Sequence, residues 1–225
     1  MKIDSIIKNR KTQKVLADEP WEMSLDKLEL QKLAIELLEV AASAPYHHKC
    51  NSAFSDESRV LNSCLPYRFY LLNTNNCREL ASYILGNNIK SGKVINMLFS
   101  ADLLFLVTWL PETNTDLEVD DSRLLEPVPF LGSLKNMEHI AAASSAIQNI
   151  LIASSSRGIP SYWSSGGVLR KKPIRELLEI PLDEILLGAL FLFPKNSVER
   201  SANIIPGHLR DEGKKIETWS KWVSI

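Results

Sequence analysis

From Leu25 through Leu28, Leu33, Leu37, Leu38 and Ala41, apolar residues recur at helical spacing, and Pro45 stops the stripe. With Ser24 as its N-cap, this predicts a first long helix. The polar stretch Cys50 to Cys64 reads as a loop or lid. Tyr67 to Asn73 (YRFYLLN) is aromatic and apolar enough for a strand. Asn76 followed by Glu79 predicts a capping box for a second helix reaching Leu85. The continuous run Asp102 to Leu110 (DLLFLVTWL), halted by Pro111, predicts a buried strand. Glu112 to Asn136 carries acidic residues, prolines and little periodicity, and reads as a loop with one short helix. Met137 to Arg157 places Ile140, Ala143, Ile147, Ile150, Leu151 and Ser154 at helical spacing, with Gly158 as the C-terminal cap. This predicts a central helix whose small residues admit a close neighbour. Pro173 starts a short helix to Glu179, and Ile185 to Phe193 (ILLGALFLF) predicts a third buried strand.

Helices on a few strands, without hairpin-length connections or regular βαβ order, predict an α+β layer architecture. The 225 residues, 45% of them hydrophobic, suffice for one domain spanning 1–225. Lys and Arg number 26 against 27 Asp and Glu, so the balance of charge favours neither nucleic acid nor an anionic membrane as a partner. The N-terminal MKIDSIIKNRKTQK is too polar for the apolar core of a signal peptide, and no apolar run approaches the roughly 20 residues of a spanning helix. Cys50, Cys64 and Cys77 lack metal-ligand spacing. A cytoplasmic protein without disulfides is the expectation, a Cys50 to Cys64 bridge included.

Three constellations carry candidate chemistry. Arg10, Lys11, Thr12 and Lys14 gather three cations and a hydroxyl, which suits a phosphate monoester as well as a solvated basic face. In GIPSYWSSGGVLR, Gly158 to Arg170, the glycines permit close backbone approach to a ligand, and Trp163 could wall it; a tight loop over the core fits equally. In APYHHK, the adjacent His47 and His48 diverge and have no Cys, Asp or Glu at ligand spacing, so no metal is expected. No GxSxG, P-loop, GxGxxG or HExxH occurs. Met97, Phe99, Trp109 and Phe193 read as core, and Trp219 and Trp222 as packing for the C-terminal tail.

Taken in order, RKTQK from Arg10, AASAP from Ala41, LPYRFYLL from Leu65, AIQNILIASSSRGIPSYWSSGG from Ala146 and LLGALFLFP ending at Pro194 resemble the nitroreductase family of FMN-dependent oxidoreductases. The resemblance spans nearly the whole chain. It implies a central, mainly antiparallel mixed sheet flanked by helices, and a homodimer with FMN at the subunit interface. By the same resemblance Arg10, Lys11, Thr12 and Lys14 contact phosphate, ribityl and pyrimidine edge, and Arg210 joins them on the phosphate, with Arg200 and His208 as weaker choices. Lys14 or Lys93 would stabilise charge near flavin N1 and O2. Trp163, Ser164 and the amides of Ser165 and Gly166 would face the ring, the last two at N5, while Pro45, Tyr46 and His47 reach it from the partner subunit. Phe130 is a candidate substrate wall. Tyr46, Lys49 and Tyr67 depart from the family's usual small hydroxyl residue, Asn and Trp, and about 50–64 is an insertion.

The implied activity passes electrons from NAD(P)H through FMN to a nitroaromatic, quinone or enone. The cofactor would carry the redox step, consistent with a sequence lacking an acid/base dyad. The same site could instead oxidise a biosynthetic intermediate, or hold flavin without turnover.

Overall fold

A computed structural model describes residues 2–112, 132–200, 203–207 and 215–223. In chain order its elements are α1 (Ile3–Asn9), β1 (Gln13–Leu16), α2 (Lys27–Ala42), β2 (Tyr67–Asn73), α3 (Thr74–Gly86), α4 (Val94–Ser100), β3 (Leu103–Trp109), α5 (Leu134–Ser156), β4 (Ser161–Ser164), α6 (Lys172–Leu177), β5 (Ile185–Leu192) and β6 (Asn203–Pro206). The expected α+β layering is present. Four strands form one sheet in the order β2-β3-β5-β4, and β1 pairs with β6 in a separate ribbon. Every one of these strand pairs is antiparallel, while a single parallel bridge joins Thr12 to Ser161.

The sheet divides two cores. On β3, Leu103, Phe105, Val107 and Trp109 face α2 and α5, whereas Leu104 and Leu106 face α3, α4 and α6. Strand β5 serves both cores by changing step in the middle. Val107 pairs with Gly188 but Thr108 pairs with Leu186, so Leu187 is an extra residue. The bulge lets Leu190, Leu192 and Ile185 share one core despite their mixed parity. Each large side chain buried there is worth about 1.5–3 kcal/mol.

Local signals explain the ends of the helices. Asp26, rather than Ser24, caps α2: its side chain accepts from the Glu29 N–H at 2.8 Å, and Glu29 returns the bond at 3.1 Å. Ser24 instead donates to the buried Asp102 carboxylate. Helix α3 starts from Asn73, which accepts from Asn76 N–H at 3.0 Å, so the cap lies three residues before the predicted one. Helix α5 ends in a Schellman turn, with Gly158 at φ +69° and Ile159 N–H donating to Ser154 O at 2.9 Å.

Sequence reading missed α4 and the three four-residue strands β1, β4 and β6, which are too short to show a period. Trp219 and Trp222 are 66% and 96% exposed, so neither is buried. The three cysteines are free thiols. Among the described residues no helix is long and apolar enough to cross a membrane.

Candidate functional site

The basic N-terminal segment is delivered to the β4 edge of the sheet. Helix α1 ends at Asn9 with Arg10 as its C-cap, and the chain turns into β1. Thr12 bridges Ser161, and its carbonyl accepts from Gly207 N–H at 2.9 Å. A Cβ on Gly207 would lie 2.9 Å from that of Thr12, so only glycine admits this approach. Arg10 Nη1 donates to Thr12 Oγ1 at 3.5 Å. The Lys14 ammonium sits 4.7 Å from the centre of the Tyr162 ring on β4, a cation–π contact that aims its charge at this strand. Lys11 is exposed.

Beyond β4 the chain makes a turn that only glycine tolerates. Gly166 has φ +102°, and a Cβ there would meet Leu186 Cδ2 at 2.9 Å. Gly166 N–H already donates to Ser164 Oγ at 3.1 Å, so it is committed within the turn rather than held for a ligand. Ser165 is exposed, and its N–H has no partner among the described residues. Arg170 fixes the turn from behind, donating from Nε to Ser165 O and from Nη2 to the bulged Leu187 O at 3.1 Å. Lys93, which is exposed, immediately precedes Val94, whose Cγ2 is 3.8 Å from the place of a Gly167 Cβ.

Three chain segments distant in sequence thus converge: Arg10 to Lys14, Lys93 and Val94, and Tyr162 to Gly167. Trp163 is half-buried, with its indole against Gly188, where an added Cβ would come within 2.3 Å of Nε1. Ser164 is buried.

Other predicted residues do not join this cluster within one chain. Pro45, Tyr46 and His47 are exposed at the end of α2, where Tyr46 Oη is 4.0 Å from Cys64 Sγ. That segment lies by β2, and β4 is the opposite edge, three strand spacings or roughly 14 Å away. Arg200 donates to Glu22 O at 3.1 Å and stacks over Trp21, away from the cations at Arg10 to Lys14. Phe130, His208 and Arg210 lie outside the described residues.

The inserted segment is built on one arginine that sequence reasoning passed over. Buried Arg68 donates from Nε to Leu61 O at 3.1 Å, from Nη1 to Leu65 O and Tyr67 O at 2.7 and 2.9 Å, and from Nη2 to Phe54 O and Ser63 O at 2.9 and 2.7 Å. Cys50 N–H closes the loop on Cys64 O at 3.1 Å, and Arg59 ties it to Asp183. An arginine inside a strand of otherwise uncharged residues was the available signal for Arg68. For Arg170 it was a cation just after two glycines.

Cavities of about 840, 620 and 390 Å³ open among the described residues, and Arg10 to Lys14 and Ser164 to Gly167 line none of these three.

No family model matches the chain, and no curated protein matches its sequence. Solved structures do. A nitroreductase-like family protein from Bacillus cereus superposes with a TM-score of 0.62 at 19% identity, over 99% of this chain and 96% of the other. The nitroreductase CinD from Lactococcus lactis, solved with nicotinic acid, gives 0.55 at 14% identity, over 85% and 88%. A Desulfovibrio desulfuricans nitroreductase solved with FMN gives 0.51 at 15% identity, over 85% of each chain. At such identities the likeness is one of backbone, and by it the chain has the nitroreductase-like fold.

Proposed function

We propose that the chain is an FMN-dependent oxidoreductase, taking electrons from NAD(P)H and passing them to an electron-poor organic acceptor such as a nitroaromatic, quinone or enone. The observation that carries this reading is the convergence of Arg10, Lys11, Thr12 and Lys14 with the Ser164 to Gly167 turn at one edge of the sheet. FMN bound to the similar Desulfovibrio protein supports the choice of cofactor.

The residues fit the group. Arg10, Lys11 and the Thr12 hydroxyl offer charge and donors to a phosphate. The Ser165 N–H, lacking a partner among the described residues, offers a donor to a heteroaromatic nitrogen. Lys14, and Lys93 across the turn, offer positive charge where a reduced isoalloxazine is anionic. Bound FMN supplies the two-electron chemistry; the chain positions it, biases its potential and excludes water. The second wall comes from a second copy, whose Pro45, Tyr46 and His47, exposed and apart from this cluster within one chain, close over the ring in a homodimer.

The test is spectroscopic. Purified protein titrated with FMN should acquire a perturbed flavin spectrum, and NADH or NADPH should bleach it without oxygen. A protein that gains no flavin spectrum overturns the reading. Bound flavin that neither nucleotide bleaches leaves cofactor binding intact and removes the NAD(P)H-dependent activity.

A further inference from the structure

The peptide between Ser165 and Gly166 is held at both of its polar ends by side chains. Its carbonyl accepts from Arg170 Nε, and its N–H donates to Ser164 Oγ at 3.1 Å. A glycine admits either sign of φ, so a peptide ending at Gly166 can turn over at little steric cost, and these two bonds select one orientation of it. Turned over, it would put a carbonyl oxygen where the Gly166 N–H now lies, one residue along the chain from the Ser165 N–H that the flavin reading assigns to a ring nitrogen.

Arg170 reaches this peptide because the chain beyond it coils back. Gly167–Arg170 form a single 3-10 turn, with Leu169 N–H donating to Gly166 O at 3.0 Å and the buried Val168 and Leu169 anchoring it. The arginine stem returns over Gly166, where its Cγ and Nε lie 3.3 and 3.5 Å from the place of a Cβ. The room that a side chain at 166 would need is therefore taken by Arg170. From Nη2 the same guanidinium donates to Leu187 O at 3.1 Å, so one planar fork serves a carbonyl of the turn and a carbonyl of the sheet. A lysine ammonium, a point charge on a flexible stem, cannot hold both in fixed geometry.

The fork is also a charge. Arg170 is half-buried, and a guanidinium is not deprotonated in proteins. A fixed cation behind the peptide that meets a bound ring favours the reduced, anionic ring over the oxidised one.

We propose that Arg170 is a positioning residue for the flavin: it fixes the Ser165 to Gly166 peptide so that amides rather than a carbonyl meet the ring, and its charge raises the reduction potential. This rests on the FMN reading above.

FMN affinity, read from fluorescence quenching, and midpoint potential, read against a reference dye, test it in the natural chain, Arg170→Gln and Arg170→Lys. Arg170→Gln loses fork and charge, and should bind oxidised FMN about tenfold and reduced FMN about a hundredfold more weakly. That tenfold difference between the two forms is a potential lower by about 30 mV for a two-electron couple. Arg170→Lys should lose about tenfold for both forms and keep the natural potential. A residue that only braced the fold would change stability and leave the potential of bound flavin unmoved. The natural potential in Arg170→Gln therefore overturns the proposal. Should that variant fail to fold or to hold flavin, Arg170→Lys decides, and either natural affinity or a lowered potential in it overturns the proposal. These results leave the flavin reading standing, whereas a natural chain that gains no flavin spectrum ends that reading and this proposal with it.

Discussion

The two edges of the sheet are finished by different means. At the β2 edge the irregular chain is held by side chains: Arg68 gathers five carbonyls, Arg59 meets Asp183, and Glu184 accepts from Tyr70 at 2.9 Å and from Thr108. At the β4 edge it is shaped by their absence, at Gly166, Gly188 and Gly207, where a Cβ would collide with its surroundings. The first edge spends its polar groups on itself. The second leaves the Ser165 amide and exposed Lys11 and Lys93 facing outward. The first edge is built as scaffold, and the second is the one proposed to meet the ligand.

Arg68→Ala should break the first edge hardest. Five carbonyls lose a charged donor, and about 3–5 kcal/mol of stability should vanish in chemical denaturation, with Arg68→Lys a poor rescue because an ammonium cannot span that fork. Flavin affinity of the protein that remains folded should change little if the edges are independent. Gly188→Ala should do the reverse. The indole of Trp163 and the Ser164 carbonyl, 2.6 Å from the added Cβ, must both move, at a cost of about 3 kcal/mol, and FMN affinity measured by fluorescence quenching should fall with them.

A smaller effect comes from Glu184. Burial pushes its carboxyl above the ordinary range against the bonds from Thr108 and Tyr70, so the folded protein holds this proton more tightly than the unfolded chain. The stability contributed is complete below the ordinary carboxylate pKa of about 4.3 and is lost as pH rises through the folded value. Glu184→Gln should flatten that decline in urea melts taken from pH 4 to 8. Part of the slope should survive in Asp102, which is shifted the same way. The smallest expected change is Arg59→Ala, at most about 1 kcal/mol for a partly exposed pair, with flavin affinity intact.

How much was legible in the sequence follows the same division. Helices α2 and α5 declare themselves because burial on one face imprints a period on their residues, and strands β2, β3 and β5 because they read as short apolar or aromatic runs. The basic cluster and the glycine turn were visible as compositions. Their meeting was not, since it depends on the Thr12 to Ser161 bridge and on four-residue strands too short for periodicity. Asp102 was read as the first residue of a strand. Its buried setting depends on Ser24 and Arg200, which arrive from 78 residues before and 98 after in the chain. The caps at Asp26 and Asn73 were misplaced because several polar residues precede each helix, and the backbone decides which one sits at the boundary.

The extra residue at Leu187 separates two kinds of tolerance along β5. A half-buried side chain there can vary in size at modest cost, whereas the backbone of the extra residue has a task of its own. Deleting Leu187 would leave Leu186 opposite Thr108 and Gly188 opposite Val107, so the rest of β5 would keep its partners and its two cores. What it would withdraw is the carbonyl that Arg170 uses to hold the Gly166 turn. The bulge thus serves the turn beside the sheet rather than the pairing within it.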